Sequence, residues 1–209
     1  MGDLEQLTKV VDVRGKTVVD IGCGDGAFVR ALATAGAEAI GIEVSEDAVA
    51  RARERDPAHR YELGGAERLP FEDASIDVAT LMRSLHHVPD PARAFPELAR
   101  VVRGHVWIAE PLPEGEFFEL LRPVDDETEV RANAQRAIAE QDRFDRVETI
   151  EYDVWLRLPA FEAFRDMVLS ADPTRAERWA AHEGDLRARF APGDFLIPMR
   201  ADLLRITSR

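Results

Sequence analysis

Apolar and polar positions divide the chain into two unlike halves. In the first, short apolar runs alternate with segments whose apolar residues recur every three to four positions. "KTVVDIG" reads as a buried strand that ends on glycines, and "AFVRALATAG" as an amphipathic helix stopping at Gly36. "AEAIGIEV" is a second strand. "SEDAVARARERD" is a helix with Ser45 as its N-cap, acids in its first turn and Pro57 beyond its end. "RYELGG" and "SIDVATLM" supply a third and a fourth strand. "DPARAFPELARVVRG" predicts a helix from about Asp90 and Pro91 to Gly104, with Pro96 in or near its first turn, and "HVWIAEP" predicts a fifth strand. Strand and helix in alternation argue for a parallel sheet covered on both faces.

After Pro111 the pattern changes. "EGEFFELLRPVDDETEVRANAQRAIAEQ" is helical with a break at Pro123, and the segment around Pro173 is helical in two pieces. "RVETIEYDVWLRL" alternates with a period of two, and "DFLIPMRADLLRIT" closes the chain as a further strand. These two strands are expected to pair antiparallel at one edge. The expected fold is α/β: a doubly wound, mostly parallel seven-stranded sheet with an antiparallel edge strand and a helical lid. Residues 1–209 read as one domain, with lid helices at 112–140 and 159–195.

Composition narrows the function classes. The chain has 209 residues, 45% of them hydrophobic, and 40 acids against 27 bases give a formal net charge of -13. Such a charge repels polyphosphates, so a nucleic-acid partner is not expected. Cys23 is the single cysteine, which rules out an intrachain disulfide and fits a reducing compartment. "MGDLEQLTKV" lacks the apolar core of a signal peptide, and no apolar run approaches the roughly 20 residues that span a bilayer. A cytoplasmic protein without a membrane partner is expected. Five scattered histidines and one cysteine make no metal-ligand spacing, so no metal is expected. The oligomeric state is left open.

The stretch that calls for chemistry is "VVDIGCGDG", residues 18–26. Glycines at 22, 24 and 26 permit positive φ and bring bare backbone close to a ligand or to a packing neighbour. "GCGDGA" satisfies a dinucleotide fingerprint, with Glu43 about 20 residues on to meet ribose hydroxyls. Asp20, two residues before Gly22, is ill suited to a pyrophosphate and well suited to a ligand bearing an ammonium or sulfonium charge.

These residues resemble the first motif of class I S-adenosylmethionine-dependent methyltransferases. "GIEVSEDAV" is similar to that family's second-strand ending, "GGAERLPFEDASIDVA" to its adenine-side loop and fourth strand, and "SLHHVPDPARAFPELARVVRGHVWIAEP" to the next helix and fifth strand of its small-molecule, type 11 branch. The resemblance covers residues 15 to 111 and implies a Rossmann-like sheet and S-adenosylmethionine as cofactor. It also implies methyl transfer to an O, N or C nucleophile of a small-molecule acceptor. A non-catalytic binding subunit and an NAD-dependent oxidoreductase are the alternatives.

The resemblance also implies roles. Asp20 stands near the methionine ammonium, the backbone of Gly22, Cys23, Gly24 and Gly26 lies along the methionine and ribose, and Glu43, with Val44 beside it, takes the ribose hydroxyls. Relatives commonly carry an acid where this chain has Gly65, so adenine is read either by Glu67 or by the backbone of Ala66. Met82 approaches the methionine through its backbone, with its side chain in the core. His87 aligns with the histidine of an "L-x-H-V" element and is the candidate base, with His86 beside it; either could instead pack and cap the next helix. Arg83 is a candidate clamp for an acidic acceptor, or a surface ion pair. Glu110 faces the same crevice. With only about 17 residues before the glycine motif, the cover of the site is expected to come from the later helices.

Overall fold

The computed structural model describes residues 2–207. The first half contains strands β1 (Thr17–Ile21), β2 (Glu38–Glu43), β3 (Arg60–Leu63), β4 (Ile76–Met82) and β5 (Val102–Pro111). Helices α1 (Asp3–Val10), α2 (Ala27–Thr34), α3 (Glu46–Arg55) and α4 (Ala94–Val101) accompany them. Then follow α5 (Glu116–Leu121), α6 (Thr128–Glu140), β6 (Phe144–Leu158), α7 (Phe161–Ala171), α8 (Ala176–Arg189) and β7 (Gly193–Ile206). The strands form a seven-stranded sheet in the order β3-β2-β1-β4-β5-β7-β6. β1 to β5 are parallel, and β7 runs antiparallel to both β5 and β6. The antiparallel pair therefore closes one edge as expected, with β7 one place in and β6 outermost. Strand order reverses between β1 and β4, the point at which open α/β sheets bind ligands beyond their carboxyl ends.

The period-two pattern builds two cores from one sheet. Val18, Val78, Met82, Trp107 and Leu203 pack on the face that carries α1, α2 and α3. Val19, Leu81, Val106, Ile108 and Leu204 pack on the other, under α4 and α6. Central strands buried on both sides read as continuous apolar runs for this reason. Local signals hold at several joints. The Ser45 hydroxyl accepts from the Ala48 N–H at 3.3 Å and caps α3. Pro96 falls in the first turn of α4, behind a 3₁₀ turn (Pro91–Arg93) capped by Asp90.

One expectation is corrected, and one element is added. Gly104 does not end the helix: α4 stops at Val101, and Gly104 lies inside β5, where an added Cβ would come within 2.3 Å of the Asp77 carbonyl oxygen. It serves a close strand crossing beside the irregular pairing at Ile76 and Val78, which sequence alone cannot distinguish from a helix stop. The N-terminal residues also contribute. They fold into α1, whose Leu7 is buried and whose Asp3 reaches the crevice end of the sheet.

β6 and β7 outrun the rest of the sheet. β5 pairs with β7 only as far as Met199, whereas β6 stays paired to Gly193. This projecting ribbon carries α7 and α8 and closes on α5 around Phe161, Phe164, Trp179 and Phe195. A third, aromatic core thus stands at the carboxyl end of β5, on the ligand side of the sheet.

Candidate active site

The three glycines of the β1–α2 turn all have positive φ, at 76° for Gly22, 55° for Gly24 and 81° for Gly26. They do different work. A Cβ on Gly22 would lie 2.4 Å from Ser84 Cβ, and one on Gly26 would lie 2.6 Å from the Tyr61 ring. Those two glycines allow close packing. Gly24 has no neighbour within 4 Å of its missing Cβ and faces open space. Its N–H donates to Glu43 Oε2 at 2.9 Å, and the Ser45 N–H donates to Oε1 at 3.0 Å. The Glu43 carboxylate is thereby tethered across the open part of the turn, and each oxygen keeps a lone pair for a further donor.

Asp20 is buried beneath this turn, 1% exposed, and its Oδ1 accepts from the Thr80 hydroxyl at 2.8 Å. Burial pushes its carboxyl up to about 7, against the pull of Thr80 and Arg83. A cation arriving at the turn would favour the ionised form. The Cys23 side chain packs in the core and its thiol is pushed up to about 12, first by burial and then by Asp20 and Glu43, so only its backbone belongs to the turn. The Met82 side chain is likewise core.

On the other side of Glu43 lies an apolar shelf. Val44 is 72% exposed and Leu63 50% exposed. Gly65 stands against Val44, where a Cβ would come to 3.3 Å of its Cγ1. Ala66 is buried, and Glu67 pairs with Arg93 at 3.6 Å. The residues present suit a purine nucleoside, with an apolar slot for the base, a carboxylate for hydroxyls and bare backbone between them.

Past β4 the chain turns through Arg83 and Ser84 into a 3₁₀ turn (Leu85–His87). Arg83 has a φ of 54°, a strained value for a side-chain-bearing residue at a crevice. Its guanidinium donates to Asp3 Oδ2 at 2.7 Å, and Asp3 Oδ1 accepts from the Tyr152 hydroxyl at 2.8 Å. It is turned to α1, in the surface ion-pair role. His86 is buried and its Nδ1 is hydrogen-bonded to Oε2 of the fully buried Glu110, whose Oε1 accepts the Leu85 N–H at 2.8 Å. His86 Nε2 faces Glu127 Oε1 at 3.9 Å, and the two imidazole rings of His86 and His87 lie 4.0 Å apart. Desolvation and the neighbouring His86 hold the His87 imidazole below its ordinary value, although part of His87 reaches solvent. The pair lines a cavity of about 350 Å³ with Asp125, Glu127, Asp172 and Arg175.

The β1–α2 turn with Glu43 and the His86–His87 pair all lie at or past the carboxyl ends of parallel strands, but the cavity at the histidines is lined by no residue of the turn. Glu127 and Arg175, which line the cavity from the second half, and Arg131, which holds Glu127, escaped the sequence reading. The one available signal was the acidic run "DDETE" before α6, which reads as helix N-terminal charge rather than as a site.

Residues 19–109 match the family model described as a methyltransferase domain. Over these 91 of its 209 residues the chain is similar to methyltransferase domains. Over 110 residues the chain is 40% identical to the ubiquinone biosynthesis O-methyltransferase of Paraburkholderia phymatum, which is 50% of this chain and 47% of that protein. Over 114 residues it is 43% identical to an uncharacterized 37.1 kDa protein of a Streptomyces fradiae transposon, 50% of this chain and 33% of that one. The chain thus matches about half of the first of these curated relatives and a third of the second. The YcgJ protein from Bacillus subtilis shares the fold over 99% of this chain and 98% of its own, with a TM-score of 0.68 at 21% identity. Among the described residues no helix is long and apolar enough to cross a membrane. The family match ends at residue 109, so it takes in the glycine turn, Glu43 and the two histidines but not the ribbon, α5 to α8 or the far wall of the cavity.

Proposed function

We propose that the chain transfers the methyl group of S-adenosylmethionine to a heteroatom, oxygen above all, of a small polar acceptor. The observation that carries the reading is the pairing of Gly24, open on its ligand side, with the tethered Glu43 carboxylate. Glu43 takes the ribose hydroxyls, Val44 and Leu63 flank the base, and backbone around Gly65 and Ala66 reads its edge. Asp20 supplies negative potential from beneath the turn, which favours a cationic ligand over a diphosphate. When bound, S-adenosylmethionine supplies a methyl group already activated by its sulfonium, so that the S–CH₃ bond breaks as the acceptor's bond to carbon forms.

The protein's remaining task is to align the acceptor, exclude water and relieve the nucleophile of its proton. Alignment of this kind contributes on the order of 7–11 kcal/mol. His86 and His87 are the activating groups in this reading. Glu110 holds His86 Nδ1, which leaves the Nε2 lone pair toward the cavity. The names of the matched relatives support an oxygen nucleophile, and the polar lining of the cavity supports a hydroxyl-bearing acceptor. The aromatic core of α5, α7 and α8 closes the acceptor side as a lid. Calorimetry with S-adenosylmethionine, its demethylated product and NAD is the first test, followed by transfer of labelled methyl to a panel of phenols, quinols and aliphatic alcohols. Binding of the two sulfur nucleosides without NAD, and labelled ether products, are expected. Failure of either nucleoside to bind would overturn the reading.

A further inference from the structure

We propose that His86, His87 and Glu127 bind a divalent first-row transition-metal ion inside the cavity that they line. One ligating atom from each residue lies within 4.8 Å of those of the other two. Bonds of about 2 Å to a tetrahedral ion set neighbouring donors roughly 3.3 Å apart. The His86 Nε2 to Glu127 Oε1 separation of 3.9 Å is already close to that, and small side-chain rotations bring the third donor in.

The surroundings are those of a ligand set more than of a packing contact. Glu110 is sealed in the core with both oxygens engaged, by His86 Nδ1 and by the Leu85 N–H. A carboxylate behind one imidazole nitrogen fixes the tautomer and aims the lone pair of the other, the usual support of a metal-binding histidine. Glu127 is divided in the same way. Its Oε2 is held by Arg131 at 2.6 and 3.0 Å, while Oε1 points to His86. Arg175 also stands 3.9 Å from Oε1, but it is committed to Asp125 at 2.5 Å and lies 3.7 Å from Asp172. Asp125, Asp126, Glu127 and Asp172 line the cavity with Arg175, and Arg131 is paired to Glu127 beside it, which leaves a smaller excess of negative charge that still favours a cation.

Two imidazoles and one carboxylate suit zinc, cobalt or ferrous ions better than magnesium or calcium. Three protein donors leave at least one position open to the cavity, for water or for an oxygen of the acceptor. An acceptor hydroxyl bound there would lose its proton more readily, which would give the two histidines their activating role through the ion. That last step rests on the methyl-transfer reading; the metal site itself does not. The scattered histidines concealed it because the fold, not the spacing, brings Glu127 opposite the His86–His87 pair.

The test is titration of the full chain with Co²⁺, without nucleoside, followed by visible absorption and by competition with Zn²⁺ and Mg²⁺. One ion per chain, with the intense bands of four- or five-coordinate Co²⁺, displaced by Zn²⁺ but not by Mg²⁺, is expected. His87→Ala and Glu127→Gln should each weaken binding at least tenfold while thermal melts remain cooperative; the partly exposed His87 is the safer of the two for folding. A weak aqueous-type spectrum, or unchanged affinity in both variants, would overturn the site. Nucleoside binding measured separately keeps the two readings apart: cobalt without nucleoside binding ends only the methyl-transfer proposal, and the reverse ends only this one.

Discussion

Replacing Glu43 by alanine isolates the contact on which the proposed nucleoside recognition depends. The carboxylate accepts two backbone N–H groups, from Gly24 and Ser45, and its remaining lone pairs point away from them. Two ribose hydroxyls would take those positions. A hydrogen bond to a charged group contributes about 1.5–3 kcal/mol, and the half-buried setting of Glu43 places it at the low end. Two such bonds come to about 3 kcal/mol, or roughly a 150-fold rise in Kd. Glutamine keeps one oxygen acceptor without the charge and should lose only about tenfold, on the same scale. Calorimetry with the demethylated product measures this without interference from turnover. The two freed N–H groups lie near solvent, so the melting temperature should change little. An alanine variant that binds within threefold of the parent, with an unchanged melt, would refute the assignment of Glu43 and the site built around it.

Four further outcomes follow from the same geometry. Because the buried Asp20 carboxyl titrates at about 7 rather than at 3.8, a cationic nucleoside must displace its proton at lower pH. Affinity should therefore fall by up to roughly tenfold per pH unit below 7 and level off above it, and Asp20→Asn should flatten the profile in calorimetry. The same raised value makes Asp20 favour the fold most below pH 4, a contribution lost as pH rises through 7, which urea melts of the parent and Asp20→Asn can compare. Gly22→Ala meets Ser84 and should lower stability by more than about 2 kcal/mol, whereas Gly24→Ala meets nothing and should cost only about 1 kcal/mol for its positive φ while abolishing nucleoside binding. Phe164→Ala empties the centre of the lid core, at about 3–5 kcal/mol, so hydrogen exchange in α7 and α8 should rise and acceptor turnover fall while nucleoside affinity holds.

The first half of the fold was legible because its chemistry is local. A strand ending in Asp20, three glycines that tolerate positive φ, a capping Ser45 and an acid at 43 all lie within 26 residues, and backbone sterics fix their relation almost regardless of context. Even there, sequence did not say which glycine served the ligand. Gly22 and Gly26 are required by Ser84 and Tyr61, which come from β4's far end and from β3, so only the assembled sheet reveals that Gly24 is the open one. The helix formed by residues 3–10 went unseen because its weakly apolar face gains its stability from the sheet it covers, not from propensity.

The cavity was illegible for a stronger reason. Its members at 86, 87, 127 and 175, with Glu110 behind His86, sit on four different elements, and none belongs to a periodic pattern that marks it as interior. Arg131 and Glu127 look, in sequence, like a helical pair four residues apart of the kind that decorates exposed surfaces. In the fold they are among the more enclosed charges of the chain, and Asp125 is held above the usual carboxylate range by its burial. Enclosing so many ionisable groups has a desolvation cost of several kcal/mol per unpaired ion, which packing alone would not retain. This cavity is therefore where stability and function part company. Its charges make sense as a site that binds something, and the Co²⁺ titration asks what that something is.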